Sequence, residues 1–324
     1  MKVFVTGGSG FLGHYVITGL VARGYDVVAL ARSPSAEAAV RALGAEPCAG
    51  DLVKMPQLAD VLRGCDAVIH GAALFVMWAP AEEFEKANVA ATDHLLREAA
   101  AAGIKSFVQI GAGAVVMGDP KDMSGVTEDG AELTFPKWAP YIASKARAEK
   151  LVLAANTATM RTSVVRPPMI WGAGMPTLDH MVANVEAKQF RWPGSGMQKM
   201  STGHAANVAE AAILAVENAP GGKSYFVSDG EDRSLKEVIT ALLATRNITP
   251  GPASAPLGVA RIMARAMEFI WSIFSLQGEP PLTLQMLRLV GSTFTVNDGL
   301  ARRELKYRPV ITWQQGLAAM QSSQ

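Results

Sequence analysis

Tyr141 and Lys145 stand four positions apart in the run Pro140-Tyr-Ile-Ala-Ser-Lys145. That spacing puts a phenol and an ammonium on one face of a helix. A phenol with a pKa of about 10 is a poor acid–base group at neutral pH. A neighbouring cation favours the phenolate and moves the group toward a working range. Y-x-x-x-K is common by chance and on its own describes a core residue beside a surface one. Its weight depends on what lies upstream.

Upstream is Met1-Lys-Val-Phe-Val-Thr-Gly-Gly-Ser-Gly-Phe-Leu-Gly13. Lys2 to Thr6 is a short β-branched and aromatic run, the pattern of a buried parallel strand. Glycines follow at 7, 10 and 13, and Phe11, Leu12, Val16, Ile17, Leu20 and Val21 recur at helical spacing. A glycine turn between strand and helix lets the backbone approach a pyrophosphate, which faces the amides and positive dipole end of the helix. G-x-G-x-x-G, spelled from Gly8, is weak alone, but here it leaves the first strand and opens an amphipathic helix. Gly7, Gly10, Phe11, Leu12 and Gly13 are therefore the dinucleotide-binding candidates.

The rest of the chain supplies the frame. Asp26–Ala31 reads as a second strand, 36–43 as a helix, 45–49 as a third strand, and 56–62 as a helix. A fourth strand at 67–70, a long helix at 82–102 stopped by Gly103, and a fifth strand at 106–110 follow. A helix from about Pro140 to Asn156 and a sixth strand at 162–166 complete an alternation that demands a parallel sheet with helices on both faces. The predicted fold is thus α/β, a doubly wound Rossmann-type sheet over residues 1–167. Residues 168–324 form a smaller, mostly helical lobe for substrate, and a strand near 224–228 returns to the sheet. Helices are expected at 207–218 and 234–245. The stretch 255–277 is an amphipathic helix, with Arg261, Arg265 and Glu268 on its polar side and Ile262, Met263, Ala266, Phe269, Ile270 and Ile273 on its apolar side. It reads as a core or lid helix first, and as a peripheral membrane or dimer contact second.

The second strand ends at Ala31, where a nicotinamide site that holds a ribose 2′-hydroxyl usually carries an acid. Arg32-Ser33 follows instead. A guanidinium makes charge-assisted bonds to a 2′-phosphate, so NADP is expected rather than NAD. Asp51-Leu52, after the third strand, stands where an adenine would be recognised.

Composition narrows the remaining classes. The 324 residues are 49% hydrophobic and 18% charged with a net charge of +1, which gives no nucleic-acid surface. Cys48 and Cys65 have neither metal nor redox spacing, consistent with a reducing cytosol, and no metal site is expected. The first strand leaves no room for a signal peptide, and no uncharged apolar run is long enough to span a membrane.

Taken together, Thr6–Gly13, Gly50-Asp51-Leu52, His70-Gly-Ala-Ala73, Asn88–Thr92, Tyr141–Lys145, Arg166–Gly172, Asn207-Val-Ala-Glu-Ala and Leu305-Lys-Tyr-Arg-Pro make the chain resemble an extended short-chain dehydrogenase/reductase over its whole length. Trp78-Ala-Pro80 and Gly278–Thr283 give it the look of the 3β-hydroxysteroid dehydrogenase-like branch, which includes 2-alkyl-3-oxoalkanoate reductases and, more distantly, dihydroflavonol reductases. The resemblance implies that Tyr141 passes a proton to or from the substrate oxygen, and that Lys145 binds the nicotinamide ribose and lowers the tyrosine's pKa. Ala72 and Ala73 would line the cofactor, Asn88 would brace the central helix, and Pro168 would lie near the carboxamide. A homodimer built on the Tyr141 helix follows by the same analogy.

One position departs. Such proteins carry Ser or Thr after the fifth strand, where this chain has Gly113, and no hydroxyl lies between 110 and 118. Losing one such donor costs on the order of 10²–10³ in rate. Water, a backbone amide, Ser124 or Thr127 could replace it, or small residues at 111–114 could make room for a bulky substrate. The predicted substrate is a hydrophobic ketone or secondary alcohol, since Phe75, Val76, Met77, Trp78, Met117, Trp138, Met169, Trp171 and Met175 fall on post-strand loops. A non-catalytic NADP(H)-binding sensor and a sugar-nucleotide epimerase or dehydratase are the competing readings. His180 and His204 read as structural.

Overall fold

The computed structural model describes residues 1–324 apart from 56, 57, 120, 275, 323 and 324. Seven strands make the central sheet: β1 (Lys2–Thr6), β2 (Asp26–Ala31), β3 (Glu46–Ala49), β4 (Ala67–His70), β5 (Ser106–Ile110), β6 (Arg161–Arg166) and β7 (Lys223–Phe226). They lie in the order β7-β6-β5-β4-β1-β2-β3, and every pairing is parallel. Val3, Phe4 and Val5 are buried on both faces, as strands covered by helices on each side must be. The chain starts mid-sheet and winds outward in both directions. The crevice of such a sheet therefore opens between the carboxyl ends of β1 and β4, where Thr6 is level with His70.

Helices α1 (Phe11–Ala22) and α2 (Pro34–Ala42) follow β1 and β2, and α3 (Leu58–Leu62) precedes β4. The first two positions of the predicted 56–62 helix lie outside the described residues. The long helix expected at 82–102 runs from Ala81, but Glu85–Ala90 is a π turn before α4 (Ala91–Ala102). A π turn takes up an extra residue, and here Asn88 and Val89 both face inward. Gly103 ends α4 at φ +78°. Helix α5 (Pro140–Ala154) carries the Tyr–Lys pair, and α6 (Ala205–Asn218) packs beside α1 through Ile17, Leu20, Val208 and Ile213. On the opposite face Leu58, Leu62, Leu95, Phe107 and Val152 close the second half of the core.

A smaller sheet joins Lys199–Met200, Arg233–Ser234, Phe294–Val296 and Met123–Val126. Helices α7 (Leu257–Phe274) and α8 (Leu284–Val290) form a pair beside it. Here the sequence reading needs correction. Helix α7 packs through Ala260 and Ala264 against Leu282, Leu284 and Leu287, while Ile262, Phe269 and Ile273 are 70%, 65% and 59% exposed. Its apolar residues thus span two faces, and the flat alanine stripe, which lets backbones approach closely, took the inward one. No helix among the described residues is long and apolar enough to cross a membrane.

Candidate active site

The glycine loop is shaped by contacts that only hydrogen tolerates. Gly7 sits at φ +74°, and a Cβ on it would lie 2.8 Å from the Ala72 amide nitrogen. On Gly13 a Cβ would lie 2.1 Å from the Gly7 carbonyl oxygen. The Gly10 N–H donates to that same oxygen at 3.1 Å. Gly10 caps α1 without a side-chain bond, so Phe11 and Leu12 open a helix whose first amides no side chain covers. Such an end favours an anion.

Beside it, His70 links three elements. The Thr92 hydroxyl donates to the Asn88 carbonyl at 2.6 Å, so it accepts from His70 Nε2 at 2.9 Å. The Thr6 hydroxyl accepts from the Ala72 N–H at 3.1 Å and donates to His70 Nδ1 at 2.7 Å. The network is satisfied only by a neutral imidazole with its proton on Nε2. Burial, followed by the charge of Lys145, lowers the His70 pKa to about 3. Between about 3 and about 6.5 the unfolded chain binds a proton that the fold refuses, so this contribution is full above pH about 6.5 and is lost as pH falls. Over that window wild type should lose up to about 1.4 kcal/mol per pH unit more than H70N, measured by denaturant unfolding.

Pro140 starts α5, and the free N–H of Tyr141 in its first turn donates to Gln285 Oε1 of α8 at 3.1 Å. Asn88 Nδ2 donates to Ser144 Oγ at 3.0 Å and its Oδ1 accepts from the Leu74 N–H at 2.7 Å. Asn88 thereby ties the loop after β4 to α5. The rings of Phe75 and Phe84 stand edge-on to Tyr141, with centroids 5.3 and 6.3 Å away. Lys145 Nζ donates to the Ile110 carbonyl at 2.8 Å. Burial lowers its pKa to about 8, against the opposing pull of Glu149. The expected lowering of the Tyr141 pKa is not produced by the protein's own charges. Burial alone acts on the phenol and pushes it up.

Glu149 was not singled out in the sequence, although it lies one turn past Lys145. Arg166, at the end of β6, donates through Nε and Nη2 to its Oε1 at 2.8 and 2.5 Å. The pair is almost wholly buried, and the guanidinium lies over the Phe226 ring at 5.3 Å. An acid four residues after Lys145 was the available signal. Gln285, 144 positions from its partner, gave none.

Gly113 donates its N–H to the Pro167 carbonyl at 2.7 Å, and a Cβ there would meet Phe294 and the Pro167 oxygen at 3.2 Å. A Cβ on Gly111 would lie 2.6 Å from Val164. These glycines bring chain segments together and do not make room for a bulky substrate, which corrects that expectation. Ser124 and Thr127 are exposed, on and just past the strand paired with Phe294–Val296.

The Gly50 N–H donates to the Ala31 carbonyl at 3.0 Å, setting the ends of β2 and β3 side by side. Arg32 is exposed there, while Ser33 Oγ caps α2 by accepting from the Ala36 N–H at 3.2 Å. Asp51 Oδ1 accepts from the Val53 N–H at 3.0 Å, and the Leu52 side chain is buried with Val28 and Leu30. Ala73 is exposed and Pro168 half-buried, after β4 and β6 respectively. The candidates thus gather at the carboxyl ends of the strands, and no metal-holding cluster exists among the described residues.

The apolar residues divide. Phe75 is exposed beside Tyr141, whereas Met117, Trp171 and Met175 are core. Trp171 is fixed by its Nε1 donating to Asp229 at 2.7 Å. His180 is exposed on the helix Pro176–Glu186, and His204 is buried against Trp171.

Comparison with known proteins finds relatives that match the chain over its whole length. Over 324 residues the chain is 40% identical to a 4-hydroxy-2-methyl-3-oxo-4-farnesyl-3,4-dihydroquinoline-1-oxide ketoreductase of Stigmatella aurantiaca, covering 100% of this chain and 96% of that one. It is 33% identical to a 2-alkyl-3-oxoalkanoate reductase of Stenotrophomonas maltophilia, covering 100% and 99%. The fold matches a Bacillus cereus UDP-glucuronic acid 4-epimerase in complex with NAD, at a TM-score of 0.75 and 17% identity over 100% and 98% of the two chains. A model of the NAD dependent epimerase/dehydratase family matches residues 3–228, and with the glycine loop, the switch point and the Tyr–Lys helix in place, the chain belongs to that family.

Proposed function

We propose that this protein reduces a hydrophobic ketone, or oxidises the matching secondary alcohol, with NADP and with Tyr141 as the proton carrier. It is an oxidoreductase of the short-chain dehydrogenase/reductase type. The observation that carries the reading is the buried Tyr141–Lys145 pair on α5, with Lys145 bonded to the carboxyl end of β5 and close enough to His70 of β4 for its charge to act there. Residues 1–167, with β7, hold the dinucleotide, and residues 168–324 supply the substrate lobe.

When bound, the nicotinamide supplies or accepts the hydride at the carbon bearing the oxygen. In the reductive direction the Tyr141 phenol gives its proton to that oxygen. Lys145, anchored on the Ile110 carbonyl, would hold the nicotinamide ribose when the dinucleotide is bound. The phenolate so formed is disfavoured by burial and would need a cation such as Lys145 to offset that cost. Glu149, held by Arg166, helps keep that amine charged. The apolar character of the substrate is supported by Phe75 beside Tyr141 and by the ketones named in the two relatives.

The choice of NADP rests on Ala31-Arg32 where an acid would repel a 2′-phosphate. R32A should lower the preference for NADPH over NADH by about 10–100-fold, the worth of a charge-assisted bond. Comparing Kd values for the two cofactors in wild type and variant checks this, and an unchanged ratio removes Arg32 from the site.

A panel of hydrophobic ketones (steroid, 3-oxoacyl and flavonoid), assayed by NADPH consumption with NADH in parallel, tests the whole reading. Turnover establishes the reductase. Tight NADPH binding with no turnover on any ketone establishes instead a non-catalytic NADP(H)-binding protein, the reading that Gly113 favours.

A further inference from the structure

The groups around Gly113 do not supply the hydroxyl it lacks. Its own N–H is spent on the Pro167 carbonyl at 2.7 Å, and Ser124 and Thr127 are exposed. The contacts of Tyr141 narrow the choice. Ser144 is occupied, its hydroxyl donating to the Tyr141 carbonyl at 2.8 Å and accepting from Asn88 at 3.0 Å. Phe75 and Phe84 carry no donor. Gln285, from the substrate lobe, is different. Its Oε1 accepts from the Tyr141 N–H at 3.1 Å, which fixes the orientation of the amide and turns Nε2 the other way. There Nε2 meets Met77 Sδ at 4.0 Å. A thioether is a weak acceptor, and Gln285 is only 1% exposed. A buried amide thus keeps donor capacity that the protein itself leaves almost unused, an arrangement that is costly until an oxygen takes it up.

We propose that, in the ketone reduction assigned to Tyr141, Gln285 Nε2 donates to the substrate oxygen in place of the missing hydroxyl, a role that rests on that assignment. Tyr141 is the second residue of α5, and side chains lean toward the N-terminal end of their helix. The phenol therefore leans toward the end that Gln285 caps. Met77 belongs to the same loop as Phe75, whose ring centroid stands 5.3 Å from that of Tyr141. Nε2 accordingly points to the loop that flanks the phenol. Met77, half-buried there, is a flexible side chain that a substrate oxygen can displace. In reduction the hydride forms the new C–H bond, the C=O π pair moves onto oxygen, and that oxygen takes the Tyr141 proton. Gln285 gives up no proton. It holds the oxygen while negative charge develops, as a preorganised donor does best in a site closed to water. Because the donor comes from α8 and not from the end of β5, turnover requires the lobe to be seated on α5.

The test compares wild type, Q285E and Q285L in ketone turnover by NADPH consumption between pH 5.5 and 7.5, with NADPH affinity and thermal unfolding measured alongside. Lys145, with a pKa of about 8, stays largely charged across that range. Glutamate keeps the oxygen that caps α5 but donates only when protonated, whereas leucine has neither group. At pH 7.5 Q285E should lose about 10²–10³-fold in turnover, with kcat falling more than KM rises and NADPH affinity little changed. As pH falls the carboxyl takes up a proton and regains an O–H donor, so the loss should shrink by up to about tenfold per pH unit. Wild type should stay flat over the same range, and Q285L should lose a similar factor with no recovery in acid. Should Q285L unfold, Q285E still decides the matter, because it keeps the cap. Q285E matching wild type at every pH would leave Gln285 as a cap alone and overturn the proposal. A Q285E defect that acid does not relieve would overturn it too. Wild type that turns over no ketone would instead remove the reductase reading, and this role with it.

Discussion

Replacing Tyr141 by phenylalanine should lower ketone turnover by about 10²–10⁴-fold, the range for one positioned general acid, with NADPH affinity little changed. The phenylalanine ring keeps the edge-on contacts with Phe75 and Phe84 and removes only the hydroxyl. The backbone N–H that Gln285 caps is untouched, so α5 should remain in place. Single-turnover rates beside a fluorescence titration of NADPH separate the two effects. If turnover survives, the proton comes from elsewhere. The same assay carries a pH dependence. Lys145 is charged below its pKa of about 8 and neutral above it. A step that needs the ammonium should therefore fall as pH rises through about 8 and be flat below. A rate that instead rises through that range would show that the neutral amine is the working form.

The second large effect is expected at Gly13, where the geometry leaves alanine nowhere to go. The added Cβ would lie 2.1 Å from the Gly7 oxygen and 2.6 Å from the Gly8 Cα, both backbone atoms. No rotamer change relieves a clash with backbone, so either the loop opens or α1 moves off β1. Overpacking costs typically 1–3 kcal/mol, and contact with backbone places this case at the upper end. Because the same loop is where the dinucleotide would lie, G13A should lose NADPH binding by at least about 100-fold while still folding at low temperature. G251A, where a Cβ would meet nothing within 4 Å, should change neither property. Calorimetry with and without NADPH distinguishes them. A G13A protein that binds the cofactor like wild type would place the dinucleotide away from this loop.

Both predictions rest on residues visible in the sequence, and the reason is that their signals are local. Strands β1, β2, β4 and β5 fall where alternation and buried runs place them, because a β-branched run of five or six residues has few other options. The glycine loop is legible because four glycines in seven positions answer a steric demand within one turn. Tyr141 and Lys145 are legible because a helix makes spacing into proximity. Family membership adds up from such pieces over the whole chain.

The tertiary structure decided what depends on partners far away in the chain. The tautomer of His70 is set by Thr6 and Thr92, 64 and 22 positions off. The pair of Glu149 with Arg166 exists because β6 returns beside α5, and Tyr141 is capped by a residue from a helix near the chain's end. Gly113 reads in sequence as a missing hydroxyl, but in the fold it is a backbone seam against Pro167 and Phe294. Helix α7 shows the limit most plainly. Periodicity says that a helix has an apolar face, because that is a property of its own residues. Which face is covered depends on the neighbour, and α8 packs against Ala260 and Ala264 while the larger apolar side chains stay outside.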